Sequence, residues 1–340
     1  MRLSASERGD NVSKFLIRRI LLGIFIIIMG SLVFYAIIRC LPASYIEKMA
    51  RQFAASTNGR KTYQEWLTEL NHVYGMDSSI LSGFFRWGAN AIQGNFGDSW
   101  KYMRPVTEVF RESIWWSVLM NIITFILEIV VCIPLGILAA RKQYSKTDYT
   151  ITVVALACIS LPSFYLATLL KYFLSVKLGW FPLYGLTGRM YNSMTPLQQS
   201  GDILYHLVLP VLTLAMLSIG GLMRYVRTNM LEVLNADYIR TARAKGLPEK
   251  VVINKHAFRN TLIPLVSYMS YLLPSMFGGA MITEEIFQIP GIGRLSYQAM
   301  ITGDIPFAMF YTVFLMILTQ ISLIIADIMY AVVDPRVRVN

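Results

Sequence analysis

Long apolar runs alternate with polar stretches along the whole chain. Six of the runs reach the ~20 residues that a helix needs to cross a hydrocarbon layer: Ile20–Ile38, Ile114–Ala140, Tyr149–Leu174, Leu207–Met223, Leu262–Thr283 and Phe307–Val333. The first follows Arg18 and Arg19. It is too long for the apolar core of a signal peptide, and no small-residue cleavage pattern follows it, so it is expected to be a span. Internal prolines (Pro134, Pro162, Pro210, Pro264, Pro274) and the pairs Gly220-Gly221 and Gly278-Gly279 fall inside these runs. Both features are tolerated in buried bundle helices, as packing sites and kinks or as parts of a moving gate.

Two polar stretches carry a pattern of their own. Within residues 39–113, Tyr63, Trp66, Leu67, Leu70 and Tyr74 share a helical face, and Ile80, Leu81, Phe84, Phe85 and Ile92 repeat the spacing. Gly94, Asn95, Gly97 and Asp98 then mark a turn, and Pro105 suits the start of the next helix. This predicts a small helical subdomain, either a structural cap or a docking surface for an external partner. Between the fourth and fifth runs, Met230, Leu234, Tyr238 and Ala242 recur at every fourth position, as in an amphipathic helix. Gly246 suits the end of that helix, Pro248 the first turn of a second, and Glu249 its positive N-terminal dipole. Val251, Val252 and Phe258 would form the apolar side of the second helix. The expected organisation is a tail (1–19), a first transmembrane helix (20–38), an external loop subdomain (39–113), a five-helix core (114–333) with a basic loop at 224–261, and a second tail (334–340).

Composition agrees with a membrane protein. Of 340 residues, 55% are hydrophobic and only 15% charged, too few to cover a soluble surface. The formal net charge of +11 matters through its placement. Basic residues crowd the first tail, the loop at Arg141–Lys146, the 224–261 loop and the last residues, whereas the loops after the third and fifth runs are nearly free of them. The positive-inside rule then puts both termini and the 224–261 loop in the cytoplasm; the long 39–113 loop is exempt because long loops cross largely regardless of charge. Three cysteines and three scattered histidines form neither a disulfide framework nor a metal-ligand spacing.

For the 224–261 loop, two readings fit the pattern: a basic helix pair lying on anionic lipid, or a handle gripped by a cytoplasmic protein. A DNA-binding helix pair is disfavoured because both ends run into membrane spans. Among ionisable groups within the runs, Glu128 near the middle of the second could line a pathway or pair with a polar neighbour in a partner subunit, whereas Asp327, nearer the end of the sixth, reads as an interfacial or packing group. Asn121, Ser163, Ser267 and Tyr271 are polar positions in the spans that could accompany Glu128. A single mid-span acid and no visible inverted repeat disfavour a secondary transporter. No G-x-x-x-x-G-K-[ST] occurs, so the chain has no phosphate loop.

The stretch DYIRTARAKGLPEKVVINKHAFRN resembles the cytoplasmic "EAA" loop of ABC importer permeases, in the form found in the dipeptide/oligopeptide/nickel branch. The EAA positions fall on Arg240-Thr241-Ala242, so the Glu is missing, and the Leu-Pro that closes the pattern is replaced by Phe258-Arg259. GNFGDSW, IPLGILAA, SLPSFYLATLL, GWFPLYG, EEIFQIPGIGRLSYQAMITGDIP and YAVVDPRVR are similar to the same branch, and the long first loop to its B-type subunit. One departure is Leu41-Pro42-Ala43-Ser44, where the branch carries a Pro-Gly-Asp-Pro-like turn. The resemblance implies an all-α, six-helix type I importer transmembrane domain that is not itself an enzyme. Its implied partners are a second permease subunit, two ATPase subunits that bind ATP and Mg, and an external solute-binding protein. It further implies a bacterial cytoplasmic-membrane location and a cargo of peptides, with nickel or oligosaccharides as alternatives. Thr241, Ala242, Gly246, Leu247, Pro248, Glu249, His256, Arg259 and Asn260 would then couple the loop to the ATPase.

Overall fold

The computed structural model describes residues 5–40, 45–56, 62–73, 77–262, 265 and 272–333, and within these it is almost wholly helical. Two compact units share the chain, one drawn mainly from Met1–Trp115 and Ile292–Ile321, the other from Trp116–Gly291 and Ser322–Arg338.

The first unit holds α1 (Ala5–Cys40), α2 (Tyr45–Ser56), α3 (Tyr63–Val73), α4 (Ile80–Ile92), the start of α5 (Val106–Arg141), α13 (Ile292–Thr302) and the first part of α14 (Ile305–Val333). From Ile17 onward α1 exposes apolar side chains around most of its circumference, as a helix facing lipid does. It meets α14 through Gly30, where an added Cβ would come within 2.8 Å of Met316 Cε. The loop subdomain is helical as expected, with α2 in addition. Leu70, Phe84 and Ile46 are buried, and Tyr63, Trp66 and Trp87 pack against them. The expected face of α4 is only half right. Ile80, Phe84 and Trp87 turn inward, whereas Leu81, Phe85 and Ile92 are exposed. The apolar positions of α4 cover more of its circumference than one packing face can bury.

The glycine-rich turn is a hairpin. Gly94 and Gly97 take positive φ, and Asp98–Ser99 pairs antiparallel with Arg104–Pro105. Pro105 is the last residue of that hairpin, immediately before α5. The hairpin is fastened by Asp304, whose carboxylate accepts the Ser99 hydroxyl and the N–H groups of Trp100 and Lys101 at 3.1 and 3.3 Å. The same carboxylate caps α14 by accepting the Phe307 N–H at 3.4 Å.

The second unit holds the rest of α5, then α6 (Lys146–Ser160), α7 (Ser163–Leu170, continued by a π-helical turn Lys171–Lys177) and α8 (Pro196–Leu234). α9 (Asp237–Ala244) follows. α10 opens as Glu249–Val251, widens to a π-helix over Val252–Ala257 and is helical again over 258–262. α11 (Leu273–Gly278) and α12 (Met281–Phe287) complete the unit, with the end of α14. α5 and α8 close on each other at Gly136, where a Cβ would meet Val226 and the Met223 carbonyl within 3 Å. α6 and α8 close at Gly220, where it would meet the Ala155 carbonyl at 2.6 Å. These small residues let the helix backbones approach.

Four described helices (α1 from Ile17, α5, α8 and α14) are long and apolar enough to span a membrane. The expected span at Tyr149–Leu174 is two helices, α6 and α7, bent by 103°. Leu161 is extended (ψ 132°) because the following Pro162 disfavours helical geometry in the residue before it. The expected span at Leu262–Thr283 lies partly outside the described residues, with Pro264. Its described end is not continuous: Gly279, at φ 73° and ψ 164°, separates α11 from α12. That combination is open essentially to glycine alone. Pro274 starts α11, and Pro134 and Pro210 sit inside unbroken helices. The Leu41–Ser44 departure also lies outside the described residues.

α8 runs for 39 residues, so at 1.5 Å per residue it is about 58 Å long. That exceeds a ~30 Å hydrocarbon core, so the helix projects well beyond it. Thr195 and Gln198 set its start, with the Thr195 N–H donating to Gln198 Oε1 at 3.0 Å and Pro196 in the first turn.

Candidate functional site

The basic loop leaves the far end of α8. The helix stops at Asn235-Ala236, and this break resets the phase of the expected amphipathic repeat. Met230 is buried on α8, but Tyr238 is exposed, and the buried pair of α9 is Ile239 and Ala242. Gly246 follows with φ 75°, the left-handed conformation expected of a helix-ending glycine. Nothing lies within 4 Å of a Cβ added there, so a Cβ meets backbone strain and no steric contact. Pro248 precedes α10 and Glu249 opens it.

The buried side of α10 is Val252, Ile253 and Ala257, while Val251 is exposed and Phe258 partly buried. The widening of α10 to a π-helix shifts its side-chain spacing away from the regular period. These residues pack with Ile239 and Ala242 onto Met223, Val226 and Met230 of α8. Thr261 Oγ1 lies 3.2 Å from Met230 Sδ in the same seam. The loop is therefore seated on the helical bundle, and its tip from Arg243 to Val251 projects as a continuous exposed stretch.

The expected coupling residues separate into three groups. Ala242 belongs to the seat. Gly246, Leu247, Pro248 and Glu249 form the tip. Thr241, Arg259 and Asn260 flank it on exposed surfaces, and His256 is half-buried. Thr241 and Asn260 bond to carbonyls of their own helices, those of Asp237 and His256.

Two ion pairs were not anticipated. Arg243 grips Glu249 across the glycine bend, Nη2 to Oε1 at 2.8 Å and Nε to Oε2 at 3.2 Å. This pairing holds the Glu249 carboxyl below its ordinary range and the Arg243 guanidinium above its own. Opposite charges flanking a Gly-Leu-Pro bend were the available signal. At the base of the loop, Arg227 of α8 makes two 2.7 Å bonds to Asp148 of α6, which also accepts the Tyr144 N–H at 3.0 Å. Asp148 is buried and its partner is 79 residues away, so no local pattern reveals it.

The second candidate region is a cavity of about 400 Å³ within the same unit. It lies between α5, α8 and the α11–α12 segment and is lined by Asn121, Glu128, Ser218 and Ser275 among others. Glu128 is 8% exposed, and the Ser218 hydroxyl in the same lining donates to the Leu214 carbonyl at 3.1 Å. Asn121 Nδ2 donates to the carbonyls of Ser275 and Met276 at 3.2 and 3.1 Å. Glu128 and Asn121 thus share a cavity. Ser163, at the start of α7, does not line it, and Ser267 and Tyr271 lie outside the described residues. Thr124, Ser218 and Ser275 are lining residues the sequence pattern did not single out.

A further buried carboxylate, Glu284 of α12, accepts the Ser117 hydroxyl at 2.7 Å and the Ala280 N–H at 2.9 Å. Gly291 packs so closely here that a Cβ would come within 2.4 Å of both Glu284 Oε2 and Ser117 Oγ.

Known proteins resemble this chain over nearly its whole length. It is 34% identical over 328 residues to the oligopeptide transport system permease protein AppB of Bacillus subtilis, covering 96% of this chain and all of that protein. It is 30% identical over 326 residues to the oligopeptide transport system permease protein OppB of Salmonella typhimurium, covering 96% and 99%. A solved structure of the MetNI methionine ABC transporter in an inward-facing conformation shares the fold, with a TM-score of 0.52, 19% identity, and coverage of 67% of this chain and 97% of that one. The family described as "Binding-protein-dependent transport system inner membrane component" matches residues 132–339, which include α6–α8, the α8 and α11 residues of the cavity wall and the whole basic loop. With its membrane-spanning helices and its seated basic loop, the chain belongs to the family of binding-protein-dependent transport system inner membrane components.

Proposed function

We propose that this chain is a transmembrane permease subunit of an ATP-driven importer of oligopeptides, with its termini and the 224–261 loop in the cytoplasm. The observation that carries the reading is the loop: a glycine-bent helix pair seated on α8, with its tip from Arg243 to Val251 exposed. An exposed tip on a rigid seat suits contact with a soluble motor, and the chain has no phosphate loop of its own. ATP and Mg then belong to two partner ATPase subunits, and a second permease subunit completes the pathway. An external solute-binding protein delivers the cargo. Relatives named for oligopeptide transport over 96% of the chain support peptides as that cargo, and the basic residues concentrated in the 224–261 loop support its cytoplasmic side.

The test is reconstitution of the complete complex in proteoliposomes with its binding protein. Labelled oligopeptide should accumulate only with ATP on the loop's side and binding protein on the other. Uptake without the ATPase subunits would contradict the reading.

A further inference from the structure

The wall of the α5–α8–α11 cavity is uneven in charge. Among the described residues it contains one ionisable side chain, Glu128, and no lysine, arginine or histidine. The other polar groups are largely committed elsewhere: the Asn121 amide to the α11 carbonyls, and the Thr124 hydroxyl to the Met120 carbonyl at 2.9 Å. The Ser218 hydroxyl donates to the Leu214 carbonyl at 3.1 Å, and a hydroxyl would not in any case balance a carboxylate's charge. A carboxylate inside an apolar span costs about 2.5–3.5 kcal/mol and is retained where it faces a partner or a pathway. Around it the cavity is apolar, with Phe125, Ile159, Leu214 and Leu217 in the lining. At about 400 Å³ it falls in the range of small-molecule sites, which are mostly apolar with a few placed polar groups.

We propose that this cavity is a cation subsite of the translocation path, in which Glu128 receives the ammonium group of a peptide's free amino terminus while the first side chain rests on the apolar wall. The inference rests on peptide being the cargo of the complex. Glu128 then selects among delivered peptides inside the membrane, after the binding protein has released them. No covalent step is involved; the carboxylate accepts hydrogen bonds from the ammonium and loses them as the peptide moves on.

The experiment uses the complete reconstituted complex and two labelled tripeptides of one sequence, one with a free amino terminus and one N-acetylated, chosen so that the isolated binding protein holds both. Glu128→Gln keeps the side chain's shape and removes its charge. Uptake of the free-amine peptide should fall about tenfold or more, the worth of a hydrogen bond to a charged group, while uptake of the acetylated peptide stays at the wild-type rate. Equal loss of both peptides, or loss of neither, overturns the subsite. Ser275→Lys supplies an independent arm should the first variant fail to assemble. It places a tethered ammonium in the same cavity with Glu128 intact, and it should likewise reduce free-amine uptake selectively. Unchanged uptake in that variant overturns the proposal. Failure of the wild-type complex to take up either peptide would instead remove the peptide reading itself.

Discussion

Two glycines show how differently the same residue type can constrain this protein. Gly246 has open space around it and a positive φ, so its constraint is torsional. Gly291 is absent from the positive-φ glycines and is hemmed in by Glu284 and Ser117, so its constraint is steric. Gly291→Ala should therefore push apart the Ser117–Glu284 hydrogen bond and lower stability by about 1–3 kcal/mol, as overpacking does. Thermal unfolding in detergent checks this, and a melting temperature equal to wild type would show that the pocket yields freely. The conformation of Gly246 was legible in the sequence, because a Gly-Leu-Pro punctuation between helical patterns has few backbone solutions. The crowding at Gly291 was not, since Ser117 and Glu284 are 167 positions apart.

Helix identity was read well where a long apolar run stood alone, as in α1, α5, α8 and α14. Periodicity failed where the backbone broke. The Met230–Leu234–Tyr238–Ala242 repeat crosses the interruption at Asn235-Ala236, so two short faces looked like one long one. Pro162 was noted as a possible kink, but hydropathy cannot distinguish a bend of 103° from a mild one. At this scale the Arg227–Asp148 pair ties α8 to the start of α6 beneath the loop, and Asp148 is almost completely buried. Asp148→Asn would leave Arg227 facing a neutral amide and the Tyr144 N–H with a weaker acceptor. Removing one partner of such a pair costs about 3–5 kcal/mol when both are buried. Because the Arg227 side chain retains 24% exposure, a loss of about 2–3 kcal/mol is expected. Reduced resistance of the detergent-solubilised chain to heat checks it, and the double variant Asp148→Asn with Arg227→Met should recover part of the loss.

At the largest scale, one helix of the second unit joins the α5–α8–α11 cavity to the seat of the exposed tip. Glu128 and Ser218 lie on α5 and α8 at the cavity, and α8 continues past them to Met230, on which the basic loop is seated. Ser218 at the cavity and Met230 at the seat lie on one unbroken helix, about 18 Å apart along its axis at 1.5 Å per residue. The two readings of the loop, a handle gripped by a cytoplasmic protein and a helix pair lying on anionic lipid, part company at Gly246. A β-branched residue there strains the backbone by about 1–2 kcal/mol or more without any clash, so the direction of α10 changes while the spans still insert. The most direct test measures ATPase-subunit retention and ATP-driven peptide uptake in the purified complex carrying Gly246→Val, beside a complex with Lys245, Lys250 and Lys255 changed together to Gln. The account predicts normal membrane levels, weak ATPase retention and little uptake for Gly246→Val, with the charge variant much less affected. Full ATPase content and wild-type uptake in Gly246→Val, with the damage falling on the lysine variant, would contradict it.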